Sequence, residues 1–231
     1  MIGSVKTFHA QEVLKDKRVA VIGAADSSFE EENGDWIDRF DYIIRINKAP
    51  HSLSEEKVSF IGSRTDILFH SFYENIESGG GPINFGLYEK QGLKYLINPN
   101  NSYRGLKTHL IYYKRNLNNK KTYVLPRDYT REMNKNFGKW IPTIGFSALY
   151  TVLNSNCKEV YVTGFTFFKT PYADDYRDHF KDLAVNNKFI QKQGIHNPDL
   201  ELQEFIRQLD DTNASRVFLD KALQNIINTY K

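Results

Sequence analysis

Cysteine is almost missing from this chain of 231 residues: Cys157 stands alone, so no internal disulfide forms and a reducing compartment is expected. No apolar run approaches the ~20 residues that span a bilayer, and the opening MIGSVKTFHA lacks the apolar core of a signal peptide. The expected location is therefore a cytoplasm, bacterial or viral-host, with peripheral association at a membrane surface kept as an option. The two Asn-x-Ser sequons, at Asn100 and Asn213, are then read as chance. Charge of one sign is scarce as well. Lys and Arg total 31 against 28 Asp and Glu, for a net charge of +3, and no nucleic-acid recognition motif occurs, so no nucleic-acid partner is expected.

Three ligand motifs are absent too. The first strand-and-turn signal runs Gly23-Ala24-Ala25-Asp26-Ser27-Ser28, with one glycine where a dinucleotide fingerprint has three. The second ends in Arg45-Ile46-Asn47, with no acid to hold a ribose, which counts against NAD and a dehydrogenase. No Gly-Lys-Ser/Thr occurs, which removes the P-loop, and no Asp-x-Asp cluster offers a metal to a nucleotide diphosphate. Asp174, Asp175 and Asp178 read as a solvated loop, and one cysteine with six scattered histidines makes a poor zinc site. Neither a metal nor a cofactor is expected.

What the chain does contain is alternation. KRVAVIG, DYIIRIN, TDILFHSF, KYLINPN, HLIYY, KTYVLP and EVYVTGFTFF read as strands. FEEENGDWIDRF reads as a turn and short helix, and IPTIGFSALYTVLNSN as a helix with Phe146, Leu149, Tyr150 and Leu153 on one face. Strands alternating with helices predict a single α/β domain of nucleotide-binding, Rossmann-like type with a mainly parallel sheet. In such sheets a ligand sits beyond the carboxyl ends of the strands at the switch point, which directs attention to the turns after Ile22, Asn47 and Trp140. What those turns offer is a small-residue loop, an amide and a Thr/Gly turn, enough for one phosphate, a ribose and a base.

The stretch GIHNPDLELQEF, residues 194–205, begins a helix: Asn197 suits the N-cap, Pro198 the first turn, and Leu202, Phe205, Ile206 and Leu209 recur at helical spacing. His196 therefore sits at the positive end of a helix, where the field favours a neutral imidazole able to accept a proton. A histidine that merely packs at a helix start is the alternative. In the middle of the chain, RGLKTHLIYYKRNLNNKKTYVLPRDYTREMNKNFGKW is rich in Lys, Arg and Tyr. It reads first as a solvated face, second as a platform for a glycan acceptor, and only third as a nucleic-acid surface.

Taken together, four stretches resemble glycosyltransferase family 29, the animal-type sialyltransferases. RVAVIGAADSS, GDWIDRFDYIIRINKAP and FIGSRTDILFHSF are similar to that family's large sialylmotif, and WIPTIGFSALYTVLNSNCKEVYVTGFTFF to its small one. His179-Phe180 resembles the third motif, with phenylalanine for tyrosine, and His196 to Glu201 the very small motif, His-x-x-x-x-Glu. The order and spacing match over residues 18–206, apart from about 75–135. The resemblance implies one glycosyltransferase-A-like domain: a large-motif part over 18–74, a variable acceptor region over 75–139, a small-motif and catalytic part over 140–206 and a C-terminal helix over 207–231. Departures are evident. The family's disulfide between its large and small motifs has Cys157 at one end but Val19 at the other; Ala24 replaces a loop asparagine; and the Ser-Thr-Gly turn reads Thr143-Ile144-Gly145.

The resemblance implies a CMP-activated sugar as donor substrate, a glycan or glycolipid acceptor, and inverting transfer without a metal. His196 carries over as the general base and His179 as a partner of the leaving phosphate, against a surface histidine as the plain reading. Gly23, Ala24, Ser27, Asn47, Thr143, Ile144, Gly145 and Phe165 carry over as the nucleotide cradle; Asn47 reads equally as a turn asparagine. The contact of that loop asparagine is expected to be lost here or taken over by Asp26, Ser27 or Ser28. Glu201 is expected to be structural, bonding nearby loop backbone. Arg45 and Arg64 can be read as phosphate ligands, but one or both are expected instead to brace loops through ion pairs, with Asp38 and Asp41 as the nearest candidate partners. Sialic acid from CMP-sialic acid is the first reading, another CMP-ulosonic acid such as Kdo the second, and an inactive nucleotide-binding module the third. Residues 170–195, poor in core formers, are expected to form a lid.

Overall fold

Short runs of Val, Ile and Leu become the strands of one sheet, and the polar-flanked segments between them become its helices. The computed structural model describes residues 4–75, 79–116, 120–176, 182–209 and 215–230. The strands are β1 (Val5–Thr7), β2 (Arg18–Ile22), β3 (Tyr42–Ile46), β4 (Ile67–Phe69), β5 (Tyr95–Asn98), β6 (Thr122–Val124), β7 (Glu159–Thr163) and β8 (Val217–Leu219). The helices are α1 (Ala10–Val13), α2 (Gly34–Ile37), α3 (Glu55–Ile61), α4 (Phe85–Lys90), α5 (Tyr103–Arg115), α6 (Arg127–Asn134), α7 (Ile144–Leu153), α8 (Leu183–Gln193), α9 (Pro198–Gln208) and α10 (Lys221–Tyr230).

The eight strands form a single sheet in the order β1-β6-β5-β4-β3-β2-β7-β8. Every pairing is parallel. The expected α/β domain with a mainly parallel sheet is thus all parallel among the described strands. Alternate residues of the central strands enter opposite cores. Val19, Val21, Ile44, Ile46, Val160 and Val162 pack with Phe146, Leu149, Leu202, Phe205, Leu223 and Ile227 of α7, α9 and α10. Ala20, Ile22, Ile43 and Tyr161 face Ile37 and Ile61 of α2 and α3, while Leu68 and Leu96 face Tyr88 and Tyr112 of α4 and α5. Burial on both faces explains the near-continuous apolar strands. The chain leaves β2 toward β3 on one side and returns to β7 on the other, so the strand order reverses between β2 and β7. The crevice at their carboxyl ends is where a parallel sheet binds its ligand.

Three expectations about the elements need correction. HLIYY is not a strand but the middle of α5, which Ser102 caps by accepting from the Gly105 N–H. Its buried residues, Gly105, Thr108, His109, Tyr112 and Tyr113, recur at helical spacing, a period that a five-residue run is too short to display. Helix α7 buries every residue from Phe146 to Leu153 rather than one face. The region 207–231 is not one helix: α9 ends at Gln208, and β8 precedes α10. Edge strand β8 and opposite edge β1 are three residues each, too short to stand out in the sequence.

Candidate active site

At the carboxyl ends of β2, β3 and β7 lies a cleft of about 460 Å³. Its floor is made where the neighbouring strands β2 and β7 end side by side. The Gly23 N–H donates to the Thr163 carbonyl at 2.8 Å. A Cβ on Gly23 would stand 2.0 Å from the Gly164 oxygen, and Gly164 has φ of 71°, so both positions require glycine. Phe165 wedges between Gly23 and Gly145, whose absent side chains make room for its ring. Ala24 follows, and its carbonyl accepts from the Ala173 N–H at 2.9 Å.

Asn47 ends β3 in a left-handed conformation, φ 53°, which asparagine tolerates better than most residues. Its Oδ1 accepts from the Ser71 N–H at 3.0 Å, leaving the Nδ2 amide as the donor for the cleft that Asn47 lines. Opposite stands the start of α7. Thr143 is its N-cap, accepting from the Phe146 N–H at 3.1 Å, so Ile144 and Gly145 sit in the first turn. Such a helix start presents amide donors and a partial positive charge suited to a phosphate.

The turn before α7 is held from below. The Thr143 N–H donates to Glu201 Oε1 at 2.6 Å and the Thr143 hydroxyl to Oε2 at 2.9 Å. Glu201 is buried, and that burial pushes its carboxyl up to about 8 against the two Thr143 bonds that pull it down. It belongs to α9, capped by Asn197 with Pro198 in its first turn, as the sequence indicates. One residue before the cap, His196 places Nδ1 2.6 Å from the Ile141 carbonyl oxygen. A carbonyl only accepts, so Nδ1 carries the hydrogen and Nε2 is left with its lone pair. Burial lowers the pKa of the ring, partly offset by that bond, so the imidazole is neutral near pH 7. His196 lines the cleft with Thr143 and Gly145, and the Ile141 N–H reaches back to the Ile195 carbonyl at 2.8 Å. Turn, base and helix thus form one braced unit.

The structure brings together Gly23, Ala24, Asn47, Thr143, Ile144, Gly145, Phe165 and His196 on one cleft. Ser27 is the exception. It lines a separate cavity of about 10 Å³ with Thr163 and Asp220. The 3-10 turn over 26–29 carries it away from the cleft. Asp26 and Ser28 are spent locally, Asp26 accepting from the Thr170 hydroxyl and Ser28 donating to the Ala25 carbonyl. His179 lies outside the described residues. Of the region expected as a lid, α8 contributes Phe189, Ile190 and Gln193 to the cleft wall.

The arginines brace loops, though not with the partners expected. Arg45 is wholly buried and donates to the carbonyls of Ile61, Gly62 and Arg64. Arg64 pairs with Asp66 at 3.3 Å, while Asp38 receives the Ser63 N–H and hydroxyl and Asp41 the Arg18 N–H. Sequence reasoning missed Tyr73, Tyr172 and Tyr176, whose rings line the cleft, and Arg104, the cationic side chain of the lining among the described residues. The basic middle stretch had pointed to the region of Arg104 only in bulk; the tyrosine pair in PYADDY carried no recognisable signal. Among the described residues no group of three or more His, Cys, Asp or Glu is arranged to hold a metal, and no helix is long and apolar enough to cross a membrane.

The chain belongs to glycosyltransferase family 29, the sialyltransferases, whose family model matches residues 4–214. It is thus a glycosyltransferase by family. Solved structures share its glycosyltransferase-A-like fold. A mammalian sialyltransferase in complex with Gal-beta-1-3GalNAc-ortho-nitrophenol aligns with a TM-score of 0.54 at 16% identity, covering 88% of this chain and 69% of that one. CstII from Campylobacter jejuni, in complex with the substrate analogue CMP-3FNeuAc, gives 0.51 at 14%, covering 90% and 88%. The monofunctional alpha-2,3-sialyltransferase Cst-I of the same organism gives 0.55 at 13%, covering 89% and 76%. Among curated protein sequences none matches the chain.

Proposed function

We propose that this chain transfers sialic acid from CMP-sialic acid to a hydroxyl of a glycan or glycolipid, with inversion, using His196 as general base and no metal. The observation that carries the reading is the fixed tautomer of His196: Nδ1–H is committed to Ile141, which leaves Nε2 as the proton acceptor of a residue that lines the cleft. Nε2 takes the proton of the acceptor hydroxyl as its oxygen attacks the anomeric carbon from the face opposite CMP. The bond to the phosphate oxygen breaks, and CMP departs with the electron pair. A monophosphate leaving group carries less charge than a diphosphate. The first-turn amides of α7, with Arg104 lining the same cleft, would supply donors for it. His179 is assigned a place beside that phosphate by its motif. Gly23, Ala24, Asn47 and Phe165 would take the nucleoside. Cys157, buried in the same core as Val19 without a disulfide, fits work in a reducing compartment.

The test is CMP release from CMP-sialic acid with mixed glycan acceptors, beside a folded His196→Ala control. Acceptor-stimulated release that the substitution abolishes supports the reading. CMP binding with release unaffected by the substitution removes His196 from the chemistry.

A further inference from the structure

The surface of α5 carries an unusual mixture. A helix over residues 103–115 of a globular domain hides its apolar side chains and shows its polar ones. Here the inner face is Gly105, Thr108, His109, Tyr112 and Tyr113, while Tyr103 is 86% exposed, Leu106 44%, Leu110 38% and Ile111 41%. At 100° per residue, Tyr103, Leu106, Lys107, Leu110, Ile111 and Lys114 fall on one outward stripe, flanked by Arg104 and Arg115. All four basic side chains are exposed and the helix contains no acid, though Arg115 is paired with Glu74 from outside it, which leaves Lys107, Lys114 and Arg104 to carry the charge of the stripe. Its first turn also reaches the active cleft, which Arg104 and Gly105 line together with the exposed Tyr73.

We propose that this stripe of α5 is a docking surface for an anionic lipid bilayer, which sets the mouth of the cleft against the membrane. Apolar side chains next to cations, with no acid among them, are what an interfacial helix presents: Leu, Ile and Tyr enter the headgroup boundary while Lys meets lipid phosphate. Charge decides against a second copy of the chain. A two-fold contact through this stripe would bring Lys107 and Lys114 toward their own equivalents, whereas an anionic surface neutralises them. The placement also favours acceptors whose glycan is attached to lipid, because the cleft opens beside the same helix end. The inference rests on α5 alone and stands whichever CMP-sugar the cleft takes.

The experiment is co-sedimentation of the full chain with vesicles of phosphatidylcholine alone and of phosphatidylcholine mixed with phosphatidylglycerol, at low and high salt. Two variants accompany it, Lys107→Glu/Lys114→Glu and Leu110→Ser/Ile111→Ser. None of these four side chains lines the cleft, so both variants keep CMP binding, which also reports that they fold. Binding to the mixed vesicles, absent on the neutral ones, is expected. The lysine variant should lose about 25-fold or more in partitioning, since each basic residue near an anionic surface is worth about fivefold. The serine variant should lose binding even at low salt. Equal binding to both vesicle types, no binding to the anionic ones, or binding indifferent to both variants overturns the proposal. So does a dimer in sedimentation equilibrium that Leu110→Ser/Ile111→Ser splits, which would assign the stripe to a second copy.

Discussion

Glu201→Gln isolates the strut beneath the α7 turn. The Glu201 side chain is fully enclosed, and its bonding partners are the N–H and hydroxyl of Thr143, at 2.6 and 2.9 Å; no basic side chain pairs with it among the described residues. Burial raises its pKa from 4.5 to about 8. The folded protein therefore holds this proton more tightly than the unfolded chain. The stability contributed is complete below the unfolded value and is lost as pH rises through the folded one. With one proton involved, the slope reaches about 1.4 kcal/mol per pH unit, and the window bounds the whole effect at roughly 4–5 kcal/mol. Glutamine keeps an oxygen for the Thr143 N–H and cannot ionise. Urea unfolding of both proteins at several values between about pH 5 and 8 should show the wild type losing stability relative to the variant as pH rises. Parallel profiles, or a variant that loses more on the alkaline side, would refute the reasoning.

Other outcomes follow from the same geometry. Thr143→Val removes the α7 cap and leaves Glu201 Oε2 unpaired, at a combined cost of about 2–4 kcal/mol in urea unfolding, while Thr143→Ser keeps both bonds. Gly23→Ala drives a Cβ to 2.0 Å from the Gly164 oxygen, so about 3 kcal/mol or more of stability should be lost in thermal unfolding, along with CMP binding by titration calorimetry. His196→Ala should lower kcat by about 10²–10⁴ with CMP affinity retained. In the wild type, activity should rise with pH through a value below the ordinary 6.5 of histidine and be level near neutrality, because burial lowers the His196 pKa.

Much of the site was legible because its parts are local. Asn197-Pro198 after His196 announces a helix start, and α9 begins there. Gly23 follows a run of apolar β-branched residues, and β2 ends one residue before it. What could not be read depends on contacts between distant segments. Glu201 meets Thr143 across 58 positions, and that pairing decides the carboxyl's ionisation. Ser27 belongs to the same small-residue loop as Gly23, but a 3-10 turn carries it to a separate cavity with Thr163 and Asp220, and no composition rule anticipates that divergence. Helix α5 deceived for a different reason. Its apolar residues cover both a buried and an exposed face, so four of them in a row, Leu110 to Tyr113, mimic a strand. The same exposure is what marks α5 as a surface with a partner.

Transfer of sialic acid from its CMP donor, with His196 as base, comes down to one assay. CMP release is measured from CMP-Neu5Ac and, in parallel, from CMP-Kdo, each with and without mixed glycan and glycolipid acceptors. Acceptor-stimulated release from CMP-Neu5Ac, abolished by His196→Ala, is expected. Release from CMP-Kdo alone would contradict the sugar assigned, and no release from either donor while CMP still binds would contradict transfer of these sugars altogether.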